Sequence, residues 1–349
     1  MKKKIALLTA LVMVLCMSAG CVYQAASPSP APADEKKEET ADTTETSEEI
    51  KEDADAETET EDSEEEDEEN YETGDASLDN IRNEDGIGEK ELLVVSFGTS
   101  FNDSRRLTIG AIEDAMEKAF PDYSVRRGFT SHIIIEHINS RDGILIDDVK
   151  TALDRAADNG VKELLVVPTH LMSGFEYSDL EEEIAGYADA FEKVAMSEPL
   201  LTTDEDFEKV AAAITDATKD FDDGETAICF MGHGTEADSN GVYAKMKETL
   251  EKGGYENYYV GTVEAEPSVD DVIAAIKDKG YKKIVLRPLM VVAGDHANND
   301  MAGDEEDSWK SLFEAEGYEV TCILEGLGQL ESIRDIYVEH AQAAADTLK

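Results

Sequence analysis

Three side chains able to hold a divalent ion follow apolar runs and glycines: Glu176 after Gly174, His233 after Gly232, and His296 after Gly294. Neutral imidazole and carboxylate together suit a borderline ion such as Co, Ni, Fe or Zn, and the same groups can accept protons near neutral pH. Their positions are related. Residues 161–177 (VKELLVVPTHLMSGFEY) and 281–297 (YKKIVLRPLMVVAGDHA) repeat one pattern at an offset of 120, with Pro168 matched to Pro288, Gly174 to Gly294 and Glu176 to His296. A weaker pair, VVSFGTS (94–100) and CFMGHGT (229–235), places His233 where the first half has Phe97.

Each residue alone has a plainer reading. A histidine after a strand is often a polar cap, Asp295 beside His296 could cap a helix, and a helix-starting glutamate such as Glu176 favours the positive end of the dipole. Convergence from equivalent strand ends makes a joint metal or proton-transfer role the better reading. His170, near a strand end, reads as a core or cleft histidine. His132 and His137 lie five apart on an expected helix and so do not form an i, i+4 pair, and His340 is expected to be exposed on the last helix. Gly98-Thr99-Ser100 before a helix could cradle an anion. The chain has no GxxxxGK[ST], GxGxxG or GxSxG motif, which leaves nucleotide binding weakly supported and serine hydrolysis unsupported.

The elements that must position these residues alternate. Short apolar strands, expected at 91–97, 123–129, 163–168, 193–201, 227–231, 258–263, 283–289 and 319–324, are separated by stretches of helical spacing. This order specifies an α/β fold of two Rossmann-like lobes, parallel sheets flanked by helices, with the carboxyl ends of the strands facing a shared cleft. The lobes are expected at 91–202 and 203–349.

Ahead of them, 1–20 carries three lysines, an apolar stretch and small residues, the pattern of a signal peptide. Cys21 after Ser18-Ala19-Gly20 resembles a bacterial lipoprotein site, with Ser18 a departure where an aliphatic residue is usual; ordinary secretion is the alternative. Residues 21–90 read as a lipidated cysteine and a disordered acidic tether, since 34–90 hold 27 acidic and 5 basic side chains. The protein is then exported and held on the extracytoplasmic side of a membrane. A net charge of −50 disfavours nucleic acid. Cys229 and Cys322, inside apolar runs, read as small hydrophobes.

The motifs VVSFGTS, FTSHIII, RDGI, HLMSGFEY, FMGHGT, GTVEAEPSVDDV and PLMVVAGDHANNDMAGDEEDSW, spread over about 90–348, resemble the anaerobic sirohydrochlorin cobaltochelatase family of ATP-independent chelatases. The resemblance implies a tetrapyrrole in the cleft between lobes and insertion of Co²⁺, with Fe²⁺ or Ni²⁺ as alternatives, without ATP. It implies His233, His296 and Glu176 as metal ligands, with His233 and Glu176 assisting loss of the pyrrole protons. By family position Ser96, Thr99, Ser100, Thr130 and Ser131 would line the pocket. Arg105, Arg106, Arg126, Arg127 and Arg287 are candidates to meet a polycarboxylate substrate. An export signal departs from a cytoplasmic pathway, so a surface lipoprotein that binds haem, a corrinoid precursor or metal for uptake stands as the alternative. An oligomer is left open.

Overall fold

The computed structural model describes residues 73–349; the expected signal segment, Cys21 and the tether as far as residue 72 lie outside them. Strands β1 (Lys90–Ser96), β2 (Ser124–Phe129), β3 (Glu163–Pro168) and β4 (Lys193–Met196) form one sheet in the order β2-β1-β3-β4. Strands β5 (Thr226–Gly232), β6 (Tyr258–Thr262), β7 (Lys283–Pro288) and β8 (Glu319–Cys322) form a second in the order β6-β5-β7-β8. Every pairing is parallel. The duplication visible in residue pattern therefore extends to topology.

Helix α1 (Asn102–Arg105) passes through a π-helical turn, Arg106–Gly110, into α2 (Ala111–Ala119). The first half continues with α3 (His132–Asp142), α4 (Val149–Asp158) and α5 (Phe175–Gly186). Helix α6 (Asp204–Thr218) leads to α7 (Gly241–Lys252), α8 (Val269–Ile276), α9 (Trp309–Ala315) and α10 (Glu331–Thr347). Both sheet faces are covered, which is why the strands are continuous apolar runs. Leu92 and Val94 pack with Leu165 and Val167 on one face, and Leu93 and Val95 with Leu164 and Val166 on the other. Each such side chain, removed from water, contributes roughly 1.5–3 kcal/mol.

Two departures from the sequence expectation have physical causes. Helix α10, expected to close the second lobe, packs on α6 and equally on α2, β3 and β4 of the first. There its fully buried Tyr337 donates its hydroxyl hydrogen to the Thr169 carbonyl at 2.8 Å. Its apolar stripe (Ile333, Ile336, Tyr337, Ala341, Ala344) completes a core that also includes Ile228 and Phe230 of the second sheet, so the lobes share one interior.

The expected tether does not extend to residue 90. Residues 73–89 dock on the first lobe. Asp79 accepts from Arg105 Nε and Arg127 Nη1, both at 2.7 Å, and Arg82 reaches Asp114 and Glu117 at 2.5 and 3.1 Å. Composition marked this segment as solvated, whereas two buried guanidiniums need carboxylates and the segment supplies one. Burial alone would push the Asp79 carboxyl up; Arg127 and Arg105 outweigh it and hold the group below the usual carboxylate range. Among the described residues no helix is long and apolar enough to cross a membrane.

Candidate metal centre

In the second sheet β5 lies between β6 and β7, so the three loops leaving their carboxyl ends rise side by side. Neighbouring strands are about 4.8 Å apart, so one residue from each loop can reach a common point. Those residues are His233 after β5, Glu264 after β6 and His296 after β7. One ligand atom from each lies within 4.8 Å of the others, and the two imidazole centroids are 4.6 Å apart.

The local sequence holds each in place. Gly234, at φ +97°, turns the chain in a region that residues with a Cβ rarely adopt, and its amide donates to the Tyr243 hydroxyl at 3.2 Å. The Glu264 amide donates to the His233 carbonyl at 2.8 Å, fixing the β6 loop against the β5 loop. Gly294 lets the β7 loop press on the first lobe, where a Cβ would stand 2.9 Å from Thr99 Oγ1. Beside it, the Ala293 amide donates to Ser104 Oγ at 3.0 Å.

The outer ring nitrogens set the tautomers. His233 Nδ1 is 2.8 Å from the Gly234 carbonyl and His296 Nδ1 is 2.7 Å from the Asp300 carboxylate. Both partners only accept, so each Nδ1 carries the hydrogen and each Nε2 presents a lone pair. Burial pushes the His296 pKa down, but the Asp300 hydrogen bond and charge, with Asp295 and Glu264 adding, leave it raised. The donor set of two imidazoles and a carboxylate matches a borderline divalent ion.

The structure thus brings His233 and His296 together as expected and adds Glu264, which the sequence reading did not select. A signal was present: GTVEAEP follows an apolar strand in the second half just as GHG and GDHA do. Glu176 lies outside this cluster. It begins α5 in the first lobe, with Oε2 3.3 Å from Nε2 of His170, a histidine whose side chain is 9% exposed. Glu176 follows β3, a strand of the other sheet. Its loop still borders the second lobe, Gly174 lying against Ser239.

The other expected site residues divide. Ser96 and Thr99 are buried, with Ser96 Oγ accepting from Thr169 Oγ1 at 2.8 Å and Thr99 Oγ1 from the Phe101 amide at 3.3 Å. Ser131 caps α3, and the Ser100 carbonyl accepts from Arg141 Nη2 at 2.6 Å. Thr130 Oγ1 is a buried hydroxyl without a hydrogen-bond partner at the end of β2. The arginines are not displayed together for a polycarboxylate. Arg105 and Arg127 are enclosed with Asp79 and Glu113, Arg106 pairs with Asp103, and Arg126 and Arg287 are buried in strands. Guanidiniums already matched to buried carboxylates, as Arg105 and Arg127 are, do not meet an incoming solute, which their position in the sequence does not reveal. His340 is not exposed as expected: its Nε2 is 3.1 Å from Asp206, with the side chain 14% exposed.

Fold and cluster define a two-lobed parallel α/β protein that carries, at the carboxyl edge of its second sheet, a donor set suited to a borderline metal ion. A family model for cobalt chelatase (CbiK) matches residues 90–346, and the chain belongs to that family. It is 36% identical over 256 residues to the sirohydrochlorin cobaltochelatase of Salmonella typhimurium, covering 73% of this chain and 96% of that one. It is 28% identical over 276 residues to sirohydrochlorin cobaltochelatase CbiKC of Nitratidesulfovibrio vulgaris, covering 78% and 97%. Among solved structures, SirB from Bacillus subtilis with Fe3+ shares the fold at a TM-score of 0.53 and 13% identity, covering 74% of this chain and 97% of that one.

Proposed function

We propose that the protein inserts Co²⁺ into sirohydrochlorin or a closely related tetrapyrrole, without ATP, and does so outside the cytoplasm as a lipoprotein anchored through Cys21. The observation that carries the reaction is the convergence of His233, Glu264 and His296 with both Nε2 lone pairs presented. Cobalt comes first because the relatives are named for it; Fe²⁺ and Ni²⁺ suit the same donors.

The reaction exchanges one M²⁺ for two pyrrole N–H protons. The ion rests on two imidazoles and a carboxylate, and as it passes to the macrocycle each donor it leaves regains a lone pair. His233 and the partly exposed Glu264 are then free of the metal and near the pyrrole nitrogens, where each accepts one proton. In the first lobe three apolar side chains leave the carboxyl ends of adjacent strands: Phe97 after β1, Ile133 after β2 and Phe175 after β3, exposed by 48, 55 and 61%. Grouped exposed hydrophobics mark a surface that meets a partner, and a flat macrocycle is such a partner. Glu176 and His170, on the same edge, act on the substrate from the first-lobe side.

The test incubates the full chain with sirohydrochlorin and Co²⁺ and follows the change in absorbance. Insertion by the wild type, with loss in His233→Ala and Glu264→Gln, supports the proposal. Tight tetrapyrrole binding with no insertion, or insertion indifferent to both changes, assigns the protein to capture of a tetrapyrrole or metal for uptake instead. Labelling with a radioactive fatty acid, lost in Cys21→Ser, tests the anchor.

A further inference from the structure

The buried arginines among the described residues are matched to different degrees, and Arg126 of the first lobe shares with Arg287 of the second an Nε and an Nη2 that make no hydrogen bond. In the first lobe Arg105 and Arg127 are enclosed and matched by short bonds to buried carboxylates, Asp79 and Glu113. In the second lobe Arg287, 1% exposed, occupies a strand position between Leu286 and Pro288, and neither its Nε nor its Nη2 makes a hydrogen bond. These two nitrogens form the parallel fork with which a guanidinium grips a carboxylate or phosphate. Its neighbour is Glu325, on the loop after β8, with Oε2 3.3 Å from Nη2 and a side chain 54% exposed.

Arg287 and Glu325 line a hollow of about 530 Å³ whose remaining wall is largely apolar, including Phe221, Cys322, Ile323 and Leu324. Its lining shares no residue with the His233–Glu264–His296 cluster. A guanidinium held out of water without aligned acceptors is costly, by several kcal/mol for an isolated charge. Glu325 offsets part of that cost and marks the chemistry the fork accepts, but it is half exposed on a loop, so another acid can replace it.

We propose that this hollow is a second binding site, for a small anion that combines one carboxylate or phosphate with an apolar body, the acid replacing Glu325 on Arg287. The apolar wall covers the body and the fork fixes the acid. The site lies at the edge strand β8, apart from the metal centre, and its occupation does not require the insertion reaction.

Calorimetric titration of the full chain reads it. Benzoate and phenyl phosphate serve as probes and benzamide as the uncharged control. Either anion is expected to bind saturably, one per chain, with benzamide inactive.

Arg287→Met is expected to abolish anion binding and Glu325→Gln to tighten it a few-fold, the size expected for one partly exposed competing charge. The Glu325 variant keeps the test decisive should the Arg287 variant fold poorly. His233→Ala should leave anion binding intact. Equal binding of benzamide, or no binding of either anion by both the wild type and Glu325→Gln, overturns the proposal. So does an anion Kd that rises with protein concentration, which would assign the hollow to a second copy of the chain.

Discussion

Asp300 touches no metal in the arrangement described, yet the geometry makes it the most informative side chain to neutralise. Its carboxylate lies 2.7 Å from His296 Nδ1, so it holds the ring proton on the side away from the site. Adding the width of the ring and a coordinate bond puts this charge about 7 Å from an ion on Nε2; at an effective dielectric of about 50, that attraction is about 2 kcal/mol. Asp300→Asn removes the charge, and the new amide can donate to Nδ1, favouring the tautomer with the hydrogen on Nε2.

Both effects weaken metal binding, and together they predict a 10–100-fold rise in the Co²⁺ Kd, about 1.4–2.7 kcal/mol. The assay is a calorimetric Co²⁺ titration of the full chain at about pH 8, above the ordinary imidazole pKa. This choice matters because Asp300 also raises the His296 pKa, so at lower pH the variant would gain from weaker proton competition what it loses in direct attraction. His233 offers an internal control, since its Nδ1 partner is the Gly234 carbonyl, which no side-chain change removes. A Kd within twofold of wild type would refute the argument that outer-sphere hydrogen bonding organises this site.

Other predictions follow from neighbouring geometry. Glu264→Gln should weaken Co²⁺ binding at least as much as Asp300→Asn, whereas Glu176→Gln should leave the Kd within about threefold, because Glu176 pairs with His170 outside the cluster. The opposite ranking in the same titration would return the carboxylate ligand to the first lobe. Asp79→Ala should cost about 3–5 kcal/mol in urea unfolding, because it leaves part of two buried guanidiniums unmatched; a loss under about 1 kcal/mol would mean residues 73–89 do not dock as described.

Glu91 gives a pH signature. Burial, partly countered by Arg126, raises its pKa to about 7, so the folded chain holds this proton where the unfolded chain has released it. Its contribution is full below about pH 4.5 and is lost as pH rises through about 7, worth about 3 kcal/mol at most. Glu91→Gln should flatten that part of the stability profile measured by urea unfolding, and an unchanged slope would count against the buried position.

The strands and the order of elements were legible because sheets covered on both faces demand unbroken apolar runs, and Leu92–Val95 and Ile284–Leu286 supply them. His233 and His296 were legible because the repeat singled out the ends of such runs. Glu264 was not, since its strand, β6 (YYVGT), lacks a counterpart in the repeat and the glutamate stands in an acidic chain where glutamates carry little information. Strand order, which the sequence does not encode locally, is what places β6 beside β5. The docked segment 73–89 was hidden for a similar reason: Asp79 and Arg82 look like solvated charges until Arg105, Arg127 and Glu113 are found beneath them.

The division of labour between lobes also differs from the symmetry of the sequence. A duplicated chain suggests that both halves give ligands, but all three members of the cluster come from the second sheet. The first lobe instead controls where one of them stands. Ser104 accepts the Ala293 amide and Thr99 abuts Gly294, so the loop that carries His296 is fixed to the first half at two points; Gly328, after β8, fits against Thr108 in the π-helical turn and its amide donates to the Val291 carbonyl of that loop at 3.0 Å. A side chain added at Gly294 would meet Thr99 first, and Gly294→Ala should therefore move His296 without altering any donor. The expected result is a weaker Co²⁺ Kd with the fold retained, and an unchanged Kd would show that the lobes can shift while the cluster stays whole.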